Sequence, residues 1–234
     1  EGVNLNTAWT AIYTDAIRNC EEIIKNAEEP GNTLYSGIAK ILKAYAYSQL
    51  VDVFGDIPFS ESNDYQGGAG FGAPAFDQGK DIYPQLFALL DEGIADLNNT
   101  TAANPNKPGS DDLIYGGKAA SWINAANTIK LKLYNQARLV QDVSGPVNEL
   151  LSGGKLIGST AASFAFPYGT ASSPDERSPF FADYFATQRS INISPWFYEI
   201  MKGYNMKDVN GMTKDFNVFS GIKDPRVPYY FFNQ

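Results

Sequence analysis

The stretch FSESNDYQGGAGFGAPAFD, residues 59–77, sets three aromatic rings, Tyr65, Phe71 and Phe76, among glycines and small residues. Ser60, Glu61, Asn63, Asp64 and Asp77 surround them with hydroxyl, amide and carboxylate groups. A sugar ring presents C–H faces and a rim of hydroxyls. A site for it therefore needs flat aromatic platforms beside hydrogen-bonding side chains. A second group, INISPWFYEIMKGYN (191–205), carries Trp196, Phe197, Tyr198 and Tyr204, with Trp196 just after Ser-Pro at the start of a short helical pattern. Each group has a plainer reading too: Phe71 and Phe76 pin the loop to the core, and Trp196 packs. Trp9 and Trp122 lie on apolar helix faces and are read as core.

Other chemistry is narrowed by what the chain lacks. It has no histidine and one cysteine, Cys20, so Ser-His-Asp triads, Cys-His pairs, imidazole metal sites, Cys-based zinc cages and internal disulfides all fall away. GAGFGA (68–73) nominally fits a dinucleotide-binding turn but follows a helical pattern and runs into Pro74. DVNGMTKD (208–215) lacks the alternate oxygen ligands and closing Glu of a calcium loop. Asp and Glu are plentiful, yet no loop pairs them at a spacing that specifies two facing carboxylates. No catalytic residue, metal or cofactor is assigned. With 18 basic against 26 acidic residues the net charge is −8, which repels phosphate backbones and argues against nucleic acid as a partner. No run of about 18 apolar residues reads as a membrane span.

Four segments with helical periodicity must position these residues. The first places Trp9, Ile12, Tyr13, Ala16, Ile17, Cys20, Ile23, Ile24 and Ala27 on one face, and PGN at 30–32 stops it. Cys20 on that face reads as a buried, inert thiol. The second starts at Thr33 as N-cap and carries Ile38, Ile41, Leu42, Tyr45, Leu50 and Val53. The third starts near Asp77 and aligns Ile82, Leu86, Leu89, Leu90, Ile94 and Leu97, with Pro84 in its first turns. The fourth aligns Trp122, Ala126, Ile129, Leu133, Ala137 and Val140. SGPVNELLSGG adds a short helix.

Two helix pairs closed by turn-rich segments predict an all-α fold of stacked, tetratricopeptide-like hairpins over residues 1–152. Residues 153–234, rich in Gly, Ser, Pro and aromatics, are expected to form long loops packed on that part. Their aromatics are too many to leave in water. Both ends read as cuts through a longer protein.

The second helix ends on a definite stop signal. Phe54 seals the core, Gly55 takes the left-handed position after the helix, Asp56 accepts hydrogen bonds from a following turn, and Pro58 prevents resumption. As a set, AYAYSQLVDVFGDIPFSES (44–62) resembles the sequence around the FGD-[IV]-P motif of the SusD-like (SusD/RagB) proteins of Bacteroidetes. DIYPQLFALLDEGIADL (81–97), KAASWINAANTIKLKLYNQARL (118–139), SPFFADYF (178–185) and KDPRVPYYF (223–231) are similar to later landmarks of that family, in order.

The resemblance implies a helical scaffold with an irregular ligand-binding part, incomplete here at its carboxy-terminal end. It also implies a cell-surface lipoprotein of the outer membrane. Such a protein caps a SusC-like TonB-dependent transporter and captures a glycan or oligosaccharide, or in some branches a peptide, without turnover. Cys20 sits mid-helix with no lipobox, so the anchor is not in this chain. A peptide-binding or protein-interaction helical scaffold is the alternative function, and a polysaccharide-cleaving enzyme a weaker one.

Overall fold

The computed structural model describes residues 2–62, 74–173, 175–186, 195–204 and 219–230. They form two compact units, Glu1–Pro167 and Tyr168–Gln234.

In the first unit, α1 (Gly2–Ala11), a π-helical segment (Ile12–Ile17) and α2 (Arg18–Glu28) run on without a break. The π segment changes the phase of the expected stripe. Its wider turn carries the buried ridge through Ile17, Cys20 and Ala27, whereas Ala16 and Ile23 turn outward, Ile23 to 42% exposure. Burial pushes the Cys20 thiol up to about 11, in keeping with an inert buried group.

α3 (Thr33–Phe54) lies at the centre, packed against α2, α4 (Gly79–Leu97) and α5 (Ala119–Ala137). Covered on several sides, it buries Ile41, Ala44, Tyr47, Leu50 and Val51, a wider band than one amphipathic stripe. Its N-cap is Asn32, and the Thr33 assignment is corrected by long-range contacts. Asn104, held at φ +42°, accepts from the Leu34 N–H (3.0 Å) and donates to Thr33 Oγ1 (3.2 Å). A side chain some seventy residues away thus caps the helix.

α3 and α4 approach closely because Gly37 and Gly93 face each other. A Cβ at either position would fall within 3 Å of the other's carbonyl oxygen. Ser36 Oγ (2.7 Å) and Lys40 Nζ (2.9 Å) both reach Asp96 across this contact. Pro84 stands in the second turn of α4, where only the Lys80 carbonyl loses a helical partner.

α5 buries Trp122, Ala126, Ile129, Leu133 and Ala137 as its spacing predicts. The helix stops at Ala137, however, so Val140 lies beyond it and is 87% exposed. Asp112 organises the turn before α5. It accepts from the backbone N–H groups of Ile114, Tyr115 and Gly117 and from Trp122 Nε1 (2.7 Å). α6 (Ser144–Gly153) follows, and residues to Pro167 complete the unit, with Phe164 edge-on to Trp122 and to Tyr45.

The second unit contains α7 (Pro179–Ala186), α8 (Pro195–Met201) and α9 (Val227–Tyr230). Asp224 N–H donates to Met201 O (2.7 Å) and Gly221 N–H to Gly203 O (2.9 Å), joining the end of α8 to the approach to α9. Gly203 needs its φ of +73° and its missing Cβ, which would fall 2.7 Å from the Ile222 carbonyl oxygen. Among the described residues the only β pairings are isolated bridges, and the fold is all-α.

Candidate functional site

The stop at the end of α3 serves as one half of a clamp. Gly55 adopts φ +79°, ψ −113°, outside the left-handed helical well but still in a region that favours glycine, and its N–H donates to Val51 O (2.9 Å). Asp56 accepts from the Gly79 N–H (3.0 Å), so the "following turn" is the first turn of α4. Ile57, fully buried, exchanges two backbone hydrogen bonds with Asp77 (3.1 and 2.9 Å). The Pro58 carbonyl accepts from Tyr13 Oη (2.6 Å), whose phenol burial pushes well above the ordinary tyrosine value.

The other half is Asp77. Its carboxylate accepts from the backbone N–H groups of Phe59 (3.0 Å) and Ser60 (2.8 Å) and from Ser60 Oγ. The Ser60 N–H, helped by the Ser60 hydroxyl and the Phe59 N–H, holds this carboxyl below its usual range. Glu61 accepts from the Ala75 N–H (2.9 Å), and Ser62 Oγ meets the buried Tyr47 hydroxyl at 2.5 Å. Ser60, Glu61 and Asp77 are therefore engaged in pinning both ends of the 63–73 segment.

Of the predicted site residues, Asn63, Asp64, Tyr65 and Phe71 lie outside the described residues. Phe76 is 64% exposed. It stacks on Trp9 with centroids 6.4 Å apart and planes at 21°, while Trp9 sits edge-on to Phe54 (4.9 Å, 89°) and tilted against Tyr13 (5.0 Å). Two readings offered for Phe76 thus meet in one geometry: the ring rests on the core through Trp9 and still faces solvent. Trp9, read as core, is half-buried and belongs to this shelf.

Trp196 and Tyr198 both lie on α8 in the second unit, Trp196 at 51% exposure and Tyr198 half-buried. Lys202 Nζ donates to Tyr198 Oη (3.2 Å) and lies over the rings of Tyr198 (4.8 Å) and Tyr204 (5.0 Å). A hollow of about 490 Å³ in this unit is lined by Phe197, Met201, Phe219 and Ile222, with Trp196 and Tyr198 outside its lining. Among the described residues no cluster of acidic, Cys or His side chains is arranged to hold a metal ion, and no helix is long and apolar enough to cross a membrane.

Stacked helical hairpins, a hydrogen-bonded clamp joining residues 56–62 to 75–79, and the exposed Phe76 ring beside it make up the geometry of the candidate site. The SusD-like family model described as "Starch-binding associating with outer membrane" matches residues 3–234, and the chain belongs to this family. Solved structures agree on the fold. A SusD/RagB family protein from Bacteroides thetaiotaomicron is 24% identical, with a TM-score of 0.66 over 78% of this chain and 37% of its own. A chitin-binding SusD homologue from Flavobacterium johnsoniae is 24% identical, with a TM-score of 0.68 over 83% and 39%. A chitin-binding protein 28% identical aligns over 68% and 33%, with a TM-score of 0.51. The chain thus spans less than half the length of these relatives. No curated protein matches it.

Proposed function

We propose that this chain is part of the cell-surface, lipid-anchored binding component of an outer-membrane uptake system. It captures a glycan or oligosaccharide and presents it to a SusC-like TonB-dependent transporter without altering it. The observation that carries this reading is Phe76, an exposed ring whose plane is set by Trp9 and whose backbone is set by the Asp77 and Glu61 clamp. A fixed platform loses little freedom when a sugar face stacks on it. The family's description and the two chitin-binding relatives support the substrate class. Under this reading Asn63, Asp64, Tyr65 and Phe71 in the first unit are further ligand contacts, and Trp196 and Tyr198 are candidate contacts in the second unit taken by itself.

Calorimetry with chitin oligosaccharides and with malto-oligosaccharides tests it. Saturable binding to one series is expected, with Phe76→Ala weakening it by roughly fivefold, the equivalent of about 1 kcal/mol of stacking. Absence of binding to either series, or an unchanged Kd in Phe76→Ala, overturns the assignment of the shelf. A reducing-end assay on the same mixtures is expected to stay flat.

A further inference from the structure

α5 and α6 enclose a hollow of about 330 Å³, at the lower edge of the roughly 300–1,000 Å³ found for small-molecule sites. It shares no lining residue with the clamp. Asn127, Lys130 and Tyr134 follow one another at three- and four-residue steps along α5, so they form a polar stripe beside the buried one. Glu149 and Leu150 come from α6, and Lys155 follows it.

Two of these groups are held from α4. The Tyr134 ring stacks on Phe87 with centroids 4.1 Å apart and planes at 15°, and Lys130 Nζ donates to Asp91 Oδ1 at 2.6 Å. The ring plane and the ammonium position are thereby set in advance, and Lys130 keeps donors for a further partner. Burial raises the Tyr134 pKa, which keeps the phenol a neutral donor. The side chains of Asn127, Glu149 and Lys155 make no hydrogen bond or ion pair with another described residue.

The mixture of charges narrows the ligand. An anion would meet the Glu149 carboxylate, and a cation would meet two ammonium groups, so neither has an unopposed partner here. A ring with adjacent hydroxyls meets acceptors on Glu149, donors on Lys130 and Lys155, and both on Asn127, while its C–H surface has Tyr134 and Leu150. We propose that this hollow binds a neutral mono- or disaccharide, as a second saccharide site separate from the Phe76 shelf.

The test is a ¹⁵N NMR titration of the whole 234-residue chain with N,N′-diacetylchitobiose, maltose and cellobiose, and with glucuronate as the charged comparison. Each is taken to about 10 mM, where even a millimolar Kd gives near-saturation. Saturable shifts of the Asn127 side-chain amide and the Gly153 backbone amide with at least one sugar are expected. Glu149→Gln and Asn127→Ala should each weaken that response by about three- to tenfold, while Phe76→Ala leaves it unchanged. Unperturbed spectra elsewhere in both variants show that folding is intact. Shifts confined to the surroundings of Trp9 and Phe76 overturn this second site and leave the shelf standing. Absence of any shift overturns both. Tighter binding of glucuronate than of all three sugars overturns the neutral-ligand assignment.

Discussion

At the scale of single residues, Asp77 is the group on which the candidate site depends most. One carboxylate satisfies two backbone N–H groups and a hydroxyl on the opposite side of the loop base. Asp77→Asn keeps the size but presents an amide N–H₂ toward those donors on one side, so part of the clamp is lost. Limited proteolysis with mass spectrometry is expected to cut within residues 63–73 several times faster in this variant, with the thermal midpoint almost unchanged because the side chain stands outside the core. Equal cleavage rates would show that the clamp does not govern access to the segment. The pH dependence follows from the same bonds. The folded-state pKa is depressed, so the stabilisation is fully present above the ordinary carboxylate pKa and is lost only as pH falls through the lower, folded value. Cleavage of the native chain should accordingly stay flat from neutral pH to about pH 4 and rise below it.

At the scale of elements, the pairing of α3 with α4 decides where the clamp sits, because its two halves begin at the end of one helix and the start of the other. Gly37 and Gly93 set the closest approach of these helices. A Cβ on Gly93 would lie 2.9 Å from the Gly37 carbonyl oxygen and 3.0 Å from the Ile41 Cγ1. The first neighbour is backbone and cannot rotate away, so Gly93→Ala must move the helices apart. Overpacking of this kind costs about 1–3 kcal/mol. For a chain of this size that lowers Tm by roughly 2–12 °C, as thermal unfolding followed by circular dichroism would read. Neither glycine stands out in the sequence. The spacing of the apolar residues predicts both helices, whereas the small-residue contact appears only once the two are brought together.

At the scale of the whole molecule, the same division separates what was legible from what was not. Helices α3 to α6 and α8 are visible in the sequence because each carries a periodic stripe or a clear start and stop. The FGDIP stop, with the landmarks after it, pointed to the family. Groups whose partners lie far along the chain were not legible: Asn104 as the cap of α3, Asp77 across the loop base, and Phe87 and Asp91 behind Tyr134 and Lys130. Periodicity reports which face is buried, not which side chain meets which. It also assumes one helical pitch, which is why the π segment displaced Ile23.

The two units differ in how their stability is built, and this leads to a final prediction. The first buries Ile41, Leu50, Ile82, Leu86, Leu90, Trp122 and Leu133 almost completely, whereas among the described residues of the second only Met201 and Val227 are buried apolar side chains. Apolar burial contributes roughly 25 cal/mol per Å², so among the described residues most of the apolar stabilisation lies in the first unit. Cys20 is buried within it and the backbone amides of α8 lie in the other, which gives each unit its own reporter. In rising urea, amides of α8 should lose hydrogen-exchange protection first. Labelling of Cys20 by a thiol reagent should begin only at the higher concentration where α3 and α4 open. Loss of protection in α8 together with Cys20 exposure, at one urea concentration, would mean that the two units unfold as one.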